Sequence, residues 1–179
     1  LYFRTKEELF IELEGRQFAG WFDAIDLELD KAEGHLTVED VVSILAPTLL
    51  AFPLLPRLMS ISFACLENKI DFESALAFKH LLLVRSIRTG DKLELRLPFL
   101  HPGDGISILV RLHTLIIGSY QNSNTSESIA KVFKLPAFEP FKLDFWDELI
   151  DLVHSLITGM VARRALEEQT VLESPEDSG

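Results

Sequence analysis

LDFWDELIDLVHSLITGMVAR, Leu143 to Arg163, decides the fold. Phe145, Leu149, Leu152, Val153, Leu156, Ile157, Met160 and Val161 recur at the spacing of an α-helix. Asp144 stands where an N-cap belongs. The apolar stripe is wider than one buried face, so this helix is covered on more than one side. Gly159 lies well inside it. Glycine in a helix interior costs about 1 kcal/mol relative to alanine, and something must offset that.

A second stretch poses the same problem. LVRLHTLIIGSYQ, Leu109 to Gln121, belongs to an apolar helix that starts at Asp104 and carries Gly118 in its interior. The usual offset is close approach of another helix, from the same chain or from a second copy. In a chain of 179 residues a second copy is the expected cover. Two helices from each chain then form an intermolecular four-helix bundle. Its expected interface is Leu109, His113, Ile117, Gly118, Phe145, Leu149, Leu152, Leu156, Gly159 and Met160.

The remaining sequence also reads as helix. Thr5 to Glu8 has the form of a capping box. Leu9, Leu13, Phe18, Trp21, Phe22, Ile25 and Leu29 follow at helical spacing until about Lys31. Thr37 caps a second helix, which Pro47 should kink rather than end. A short helix is expected from Pro56 or Arg57 to about Asn68, and another after Asp71. Leu93 to Leu97 alternates like a strand, but a single strand has nothing to pair with and reads as helix. Gln121 to Ser128 reads as a loop, and Ile129 to Leu135 as one short turn. The fold class is therefore all-α.

Composition narrows the function. Hydrophobic residues make up 47% and charged residues 25%, ordinary for a soluble domain. Cys65 is the only cysteine, which excludes an internal disulfide framework and fits a reducing, cytoplasmic setting. It reads as a small buried hydrophobe. No apolar run reaches the length of a membrane span, so no membrane partner is expected. Net charge is −11, which makes this chain alone a poor ligand for a phosphate backbone.

LYFRTKEELF, Leu1 to Phe10, resembles the end of the DNA-binding head of TetR/AcrR-family transcriptional regulators. There a recognition helix runs into a motif of the type Tyr-x-Tyr/His-Phe-x-x-Lys-Glu-x-Leu. Tyr2, Phe3, Lys6, Glu7 and Leu9 match its latter part in register. Leu109 to Gln121 and Leu143 to Arg163 are similar to that family's two last long helices. The resemblance is weak between Gly34 and Gly103.

The resemblance implies an Ω-shaped homodimer. Residues 1–4 are the stub of a helix-turn-helix head, residues 5–168 a ligand-binding and dimerisation domain, and residues 169–179 a disordered acidic tail. It also implies operator DNA as a partner through the head, and a small, mostly apolar ligand that releases a repressor from that DNA. Tyr2 and Lys6 carry over as contacts to the DNA backbone. Pocket candidates among the central helices are Phe52, Arg57, Met59, Phe63, Phe78, His80, Leu82, Arg85 and His113, each of which could equally be core or surface.

Other chemistry finds little support. His35, His80, His101, His113 and His154 form no HxxxH spacing and no CxxC is present, so no metal site and no cofactor is expected. No nucleophile elbow, P-loop or dinucleotide fingerprint occurs, so an enzyme is not expected. The alternative is a helical carrier of lipid or another small molecule that never binds DNA.

Overall fold

The computed structural model of the chain describes residues 5–62 and 69–173, with side chains described up to 167 and at 169. Tyr2, Phe3, Phe63 and Cys65, the expected end of the short helix at Asn68, and the last part of the tail lie outside the described residues. Every element described is helical: α1 (Lys6–Lys31), α2 (Val38–Leu50), α3 (Leu55–Ile61), α4 (Phe72–Arg96), α5 (Asp104–Ser123), α6 (Glu127–Val132), a 3-10 helix (Pro136–Phe141) and α7 (Phe145–Glu173).

Local chemistry sets the starts. The Thr5 hydroxyl accepts a hydrogen bond from the Glu8 backbone N–H at 3.1 Å. At α2 the capping box is complete. Asp40 N–H donates to Thr37 Oγ1 at 3.2 Å, and Thr37 N–H donates to Asp40 Oδ2 at 2.9 Å. The Thr37 N–H, together with the Thr37 hydroxyl that donates to the same oxygen at 2.9 Å, holds the Asp40 carboxyl below its ordinary range. Asp71 Oδ1 accepts from Ser74 N–H at 2.8 Å and starts α4, and Asp144 Oδ1 does the same for Trp146 N–H at 2.9 Å before α7.

α2 continues through Pro47 as far as Leu50. The chain then turns by 81° into α3. α4 is unbroken from Phe72 to Arg96, so the alternating Leu93 to Leu97 segment is helical. Leu93 and Leu97 share the core side at 0% exposure, whereas Leu95 points outward at 74%. Spacings of four and two then look like alternation only because the segment is short.

Two boundaries differ from expectation. α5 runs on through Ser123 and α6 begins at Glu127, so most of the polar run Gln121 to Ser128 is helical. Ser126 caps α6 from within that run. α7 continues past the expected end at 168 to Glu173. Neither α6 nor the 3-10 helix buries a residue.

The core gathers Phe18, Trp21, Ile25 and Leu29 of α1, Leu45 and Leu49 of α2, Leu55 and Met59 of α3, Leu112 and Ile116 of α5, and Leu149, Val153 and Ile157 of α7. α1 and α4 are tied by an ionic ladder. Asp23 pairs with Arg85, Asp26 with Arg88 at 2.8 Å, and Asp30 with Lys92. Asp26 is 2% exposed and also accepts from Thr89 Oγ1 at 2.7 Å. A second buried carboxylate of α1, Glu14, accepts from Ser62 Oγ.

α4 and α5 cross almost in backbone contact. A methyl group on Gly105 would lie 2.1 Å from the Gly90 carbonyl oxygen, and one on Gly90 would lie 2.7 Å from the Ile106 nitrogen. Only glycine at both positions permits this approach. The crossing is pinned from three sides. Glu94 Oε1 of α4 accepts from the N–H groups of Gly103 and Gly105, each at 2.8 Å. Asp104 accepts from His101 N–H at 2.9 Å. Arg164 of α7 donates to both Asp104 oxygens, at 2.8 and 2.9 Å. Burial alone would raise the Asp104 carboxyl, but the Arg164 guanidinium and the His101 N–H outweigh it and hold it low.

Candidate functional site

From the Gly90–Gly105 contact, α4 and α5 run antiparallel and enclose a groove of about 210 Å³. Leu82, Leu83 and Ser86 line it from α4, and Ile106, Leu109 and Val110 from α5. Its floor is α1: Phe18, Trp21 and Phe22. Those rings form one cluster, with centroids 6.1 Å apart for Phe18–Phe22 and 5.8 Å for Trp21–Phe22. Trp21 is anchored from behind, its Nε1–H donating to Thr48 Oγ1 at 3.2 Å. His113 of α5 packs on Phe18 with centroids 5.8 Å apart and also lines the groove, as does Lys79 of α4. Mostly apolar walls with a few convergent polar groups are what a small-molecule site requires.

A second cleft, of about 280 Å³, lies between α1 and α4 near Glu8, Glu12, Ser74 and Phe78. It is larger, but two carboxylates edge it and Phe78 is its only aromatic lining residue. The aromatic-floored groove is the better candidate on chemistry.

Of the expected pocket residues, the groove brings together Leu82 and His113. Phe52 is half-buried, and its ring fills the space beside Gly20, where an added methyl would meet Cε1 at 2.6 Å. Met59 is core at 1% exposure, and Arg57 and His80 are exposed. Phe78 is buried against Phe18 and lines the other cleft, and Arg85 is engaged by Asp23. The groove floor was visible in the sequence as three aromatics within five residues, Phe18 to Phe22, but they share the period of a core stripe. Gly90 had no such signal, because its partner Gly105 belongs to another helix.

The expected interface residues divide in two. Leu109, Ile117, Leu149 and Met160 pack in the chain's own core, and Leu149 is 0% exposed. Phe145 packs edge-on against Tyr120 at 5.7 Å. His113, Gly118, Leu152 and Leu156 are half-buried, and Gly159 is exposed. Methyl groups added at Gly118 or Gly159 would meet nothing within 4 Å. Ser155, Gly159 and Ala162 recur at helical spacing on the exposed side of α7, and Val110, Thr114 and Gln121 on that of α5. Lys6 is exposed at the first residue of α1.

Among the described residues no group of three or more histidine, cysteine or carboxylate side chains could hold a metal ion. No single helix there is long and apolar enough to cross a membrane. No curated protein matches the chain. The sequence model of a family described as Tetracyclin repressor-like, C-terminal domain, matches residues 15–164. That match spans α1 to α7 and includes the groove, the glycine crossing and the exposed glycine faces. The chain belongs to the TetR-like C-terminal domain family, and its all-helical fold is of that kind.

Proposed function

We propose that the chain is the regulatory domain of a transcriptional repressor. A small, mostly apolar ligand in the α1–α4–α5 groove releases that repressor from operator DNA. One observation carries the reading: the groove floor, Phe18, Trp21 and Phe22, belongs to α1. By resemblance, α1 is also the helix that leads to a DNA-binding head. Whatever fills the groove presses on that helix, and a ligand that favours one tilt of α1 changes the spacing of two heads on successive major-groove half-sites. Tyr2 and Lys6 are the proposed backbone contacts, Lys6 at the positive end of α1.

The domain acts as a homodimer in this reading, through the exposed sides of α5 and α7. Gly118 and Gly159 support it: each costs helix stability, and nothing among the described residues occupies the space beside them. The dimer-forming residues are then Gly118, Leu152, Leu156 and Gly159, with His113 at the edge. Leu109, Ile117, Leu149 and Met160 stiffen the helices from behind.

The test uses the full-length protein and duplexes it selects from a random pool. Ser86→Trp, from the α4 wall, fills the groove, and we expect it to weaken duplex binding while leaving the dimer intact in sedimentation. Unchanged duplex binding by a folded Ser86→Trp dimer would remove the link between groove and head. Failure of the full-length protein to select any duplex would favour the carrier without DNA-binding activity. The chain described here, with its net charge of −11, is expected not to bind duplex DNA at physiological salt.

A further inference from the structure

The groove and the open glycine position of α5 lie along one side of that helix. Leu83 of α4 and Val110 of α5 line the groove, yet they are 50% and 58% exposed, so they form its two lips. Val110, Thr114, Gly118 and Gln121 then recur at helical spacing along α5. A body seated over the empty space at Gly118 reaches Val110 about two turns away, and with it the mouth of the groove. A small-molecule site buries most of its ligand's surface. A trough with two half-exposed apolar lips leaves its occupant wet on one side, so the site that one chain builds is incomplete.

The glycine face has a complementary shortage. Its exposed residues are small or polar: Thr114 and Gln121 of α5, and Ser155, Gly159 and Ala162 of α7. They permit close approach but bring little apolar surface. A stable interface covers about 800 Å² on each partner, around an apolar centre. Apolar surface of that kind begins at Val110 and Leu83. It continues along α4 through Leu76 and Ile87, at helical spacing from Leu83 and 52% and 46% exposed. We propose that the second copy of the chain extends from Gly118 over Val110 onto Leu83 and closes the groove from outside. The ligand is then enclosed by two chains, and filling the groove and forming the dimer strengthen each other. This rests on the readings of the groove as the ligand site and of Gly118 and Gly159 as the dimer face, and adds that the partner completes the site.

Thiol modification reads the cover. Cys65, the only cysteine, is replaced by serine, and a thiol is placed on the lip by Leu83→Cys or on α1 outside the groove by Leu27→Cys, both at exposed positions. At a concentration where the chain sediments as a dimer, we expect the Leu83→Cys thiol to react with Ellman's reagent at least about tenfold more slowly than in a monomeric Gly159→Leu background. The Leu27→Cys thiol should react equally in both. Equal rates for Leu83→Cys would overturn the cover and keep the dimer. A chain that sediments as a monomer at every concentration would overturn the cover and the dimer together. Leu83→Glu, which puts a carboxylate on the lip, is expected to weaken the dimer, and an unchanged dimer would again overturn the cover. The second readout is Trp21 fluorescence, with Trp146→Phe removing the other tryptophan. Titrated with 1-octanol as probe, the dimer is expected to bind at least about tenfold more tightly than the Gly159→Leu monomer. Equal affinities would overturn the shared site while keeping the groove. Octanol bound by neither would overturn the shared site and the groove together.

Discussion

Two pairs of glycines occupy helices of this chain, and their surroundings are opposite. Gly90 and Gly105 face each other where α4 crosses α5, and an added methyl would strike backbone atoms at 2.7 Å or less. Gly118 and Gly159 carry the same intrinsic penalty, but an added methyl would meet nothing within 4 Å. The first pair has its compensation inside the chain. The second has none among the described residues, which points its compensation towards a partner. A glycine in an apolar helix therefore indicates close approach without indicating to what, and the empty space decides.

The contrast can be broken by substitution. Gly105→Ala should have the largest effect on folding, because the Gly90 carbonyl cannot move without unseating α4: about 3 kcal/mol of stability lost in chemical denaturation. A loss below ~0.5 kcal/mol would mean the crossing relaxes freely. Gly159→Leu should leave the fold intact in circular dichroism but weaken the dimer at least about tenfold in sedimentation. An unchanged dimer would detach Gly159 from any interface.

Gly118→Ala and Gly159→Ala reverse the sign. At concentrations where the chain is monomeric, each should raise stability by up to about 1 kcal/mol, because helix propensity improves and space is free. A loss there would reveal an intrachain contact.

The smallest effect sharpens the packed side. Asp104 holds the crossing through Arg164, and its folded pKa lies below the unfolded value near 3.8. Its contribution is complete above that value and lost as pH falls through the lower folded one. The difference in Tm between wild type and Asp104→Asn should therefore shrink as the pH is lowered past 3.8. A difference that stays constant would show the carboxylate charge to be idle.

Much of the fold was legible because it is local. The caps at Thr5, Thr37, Asp71 and Asp144 and the helical periods need only a few neighbouring residues, and α1, α2, α4, α5 and α7 all appear in the structure. The polar run after Tyr120 misled because serine and asparagine favour loops, yet Ser126 serves there as a helix cap. The site was less legible. Leu82 and His113 were among the candidates, but Phe18, Trp21 and Phe22 look identical as core and as floor. Which of the two they are depends on α4 and α5 diverging, and that divergence follows from Gly90 and Gly105 meeting across 15 residues of sequence. Similarly, Leu149 and Gly159 lie on one helix, and only the fold tells which side faces inward.

The ladder between α1 and α4 has a consequence for any movement of α1. Its partners Asp23–Arg85, Asp30–Lys92 and the Gly34 carbonyl with Arg96 all stand 62 residues apart, so the two helices run in the same direction in one fixed register. A slide of α1 by a fraction of a turn would break every rung at once. A slide of one full turn, about 5.4 Å, would bring Asp26 towards Arg85 and Asp30 towards Arg88 and restore two of them. The helix that floors the groove is thus held by an electrostatic detent: it tilts together with α4, or it clicks by a whole turn.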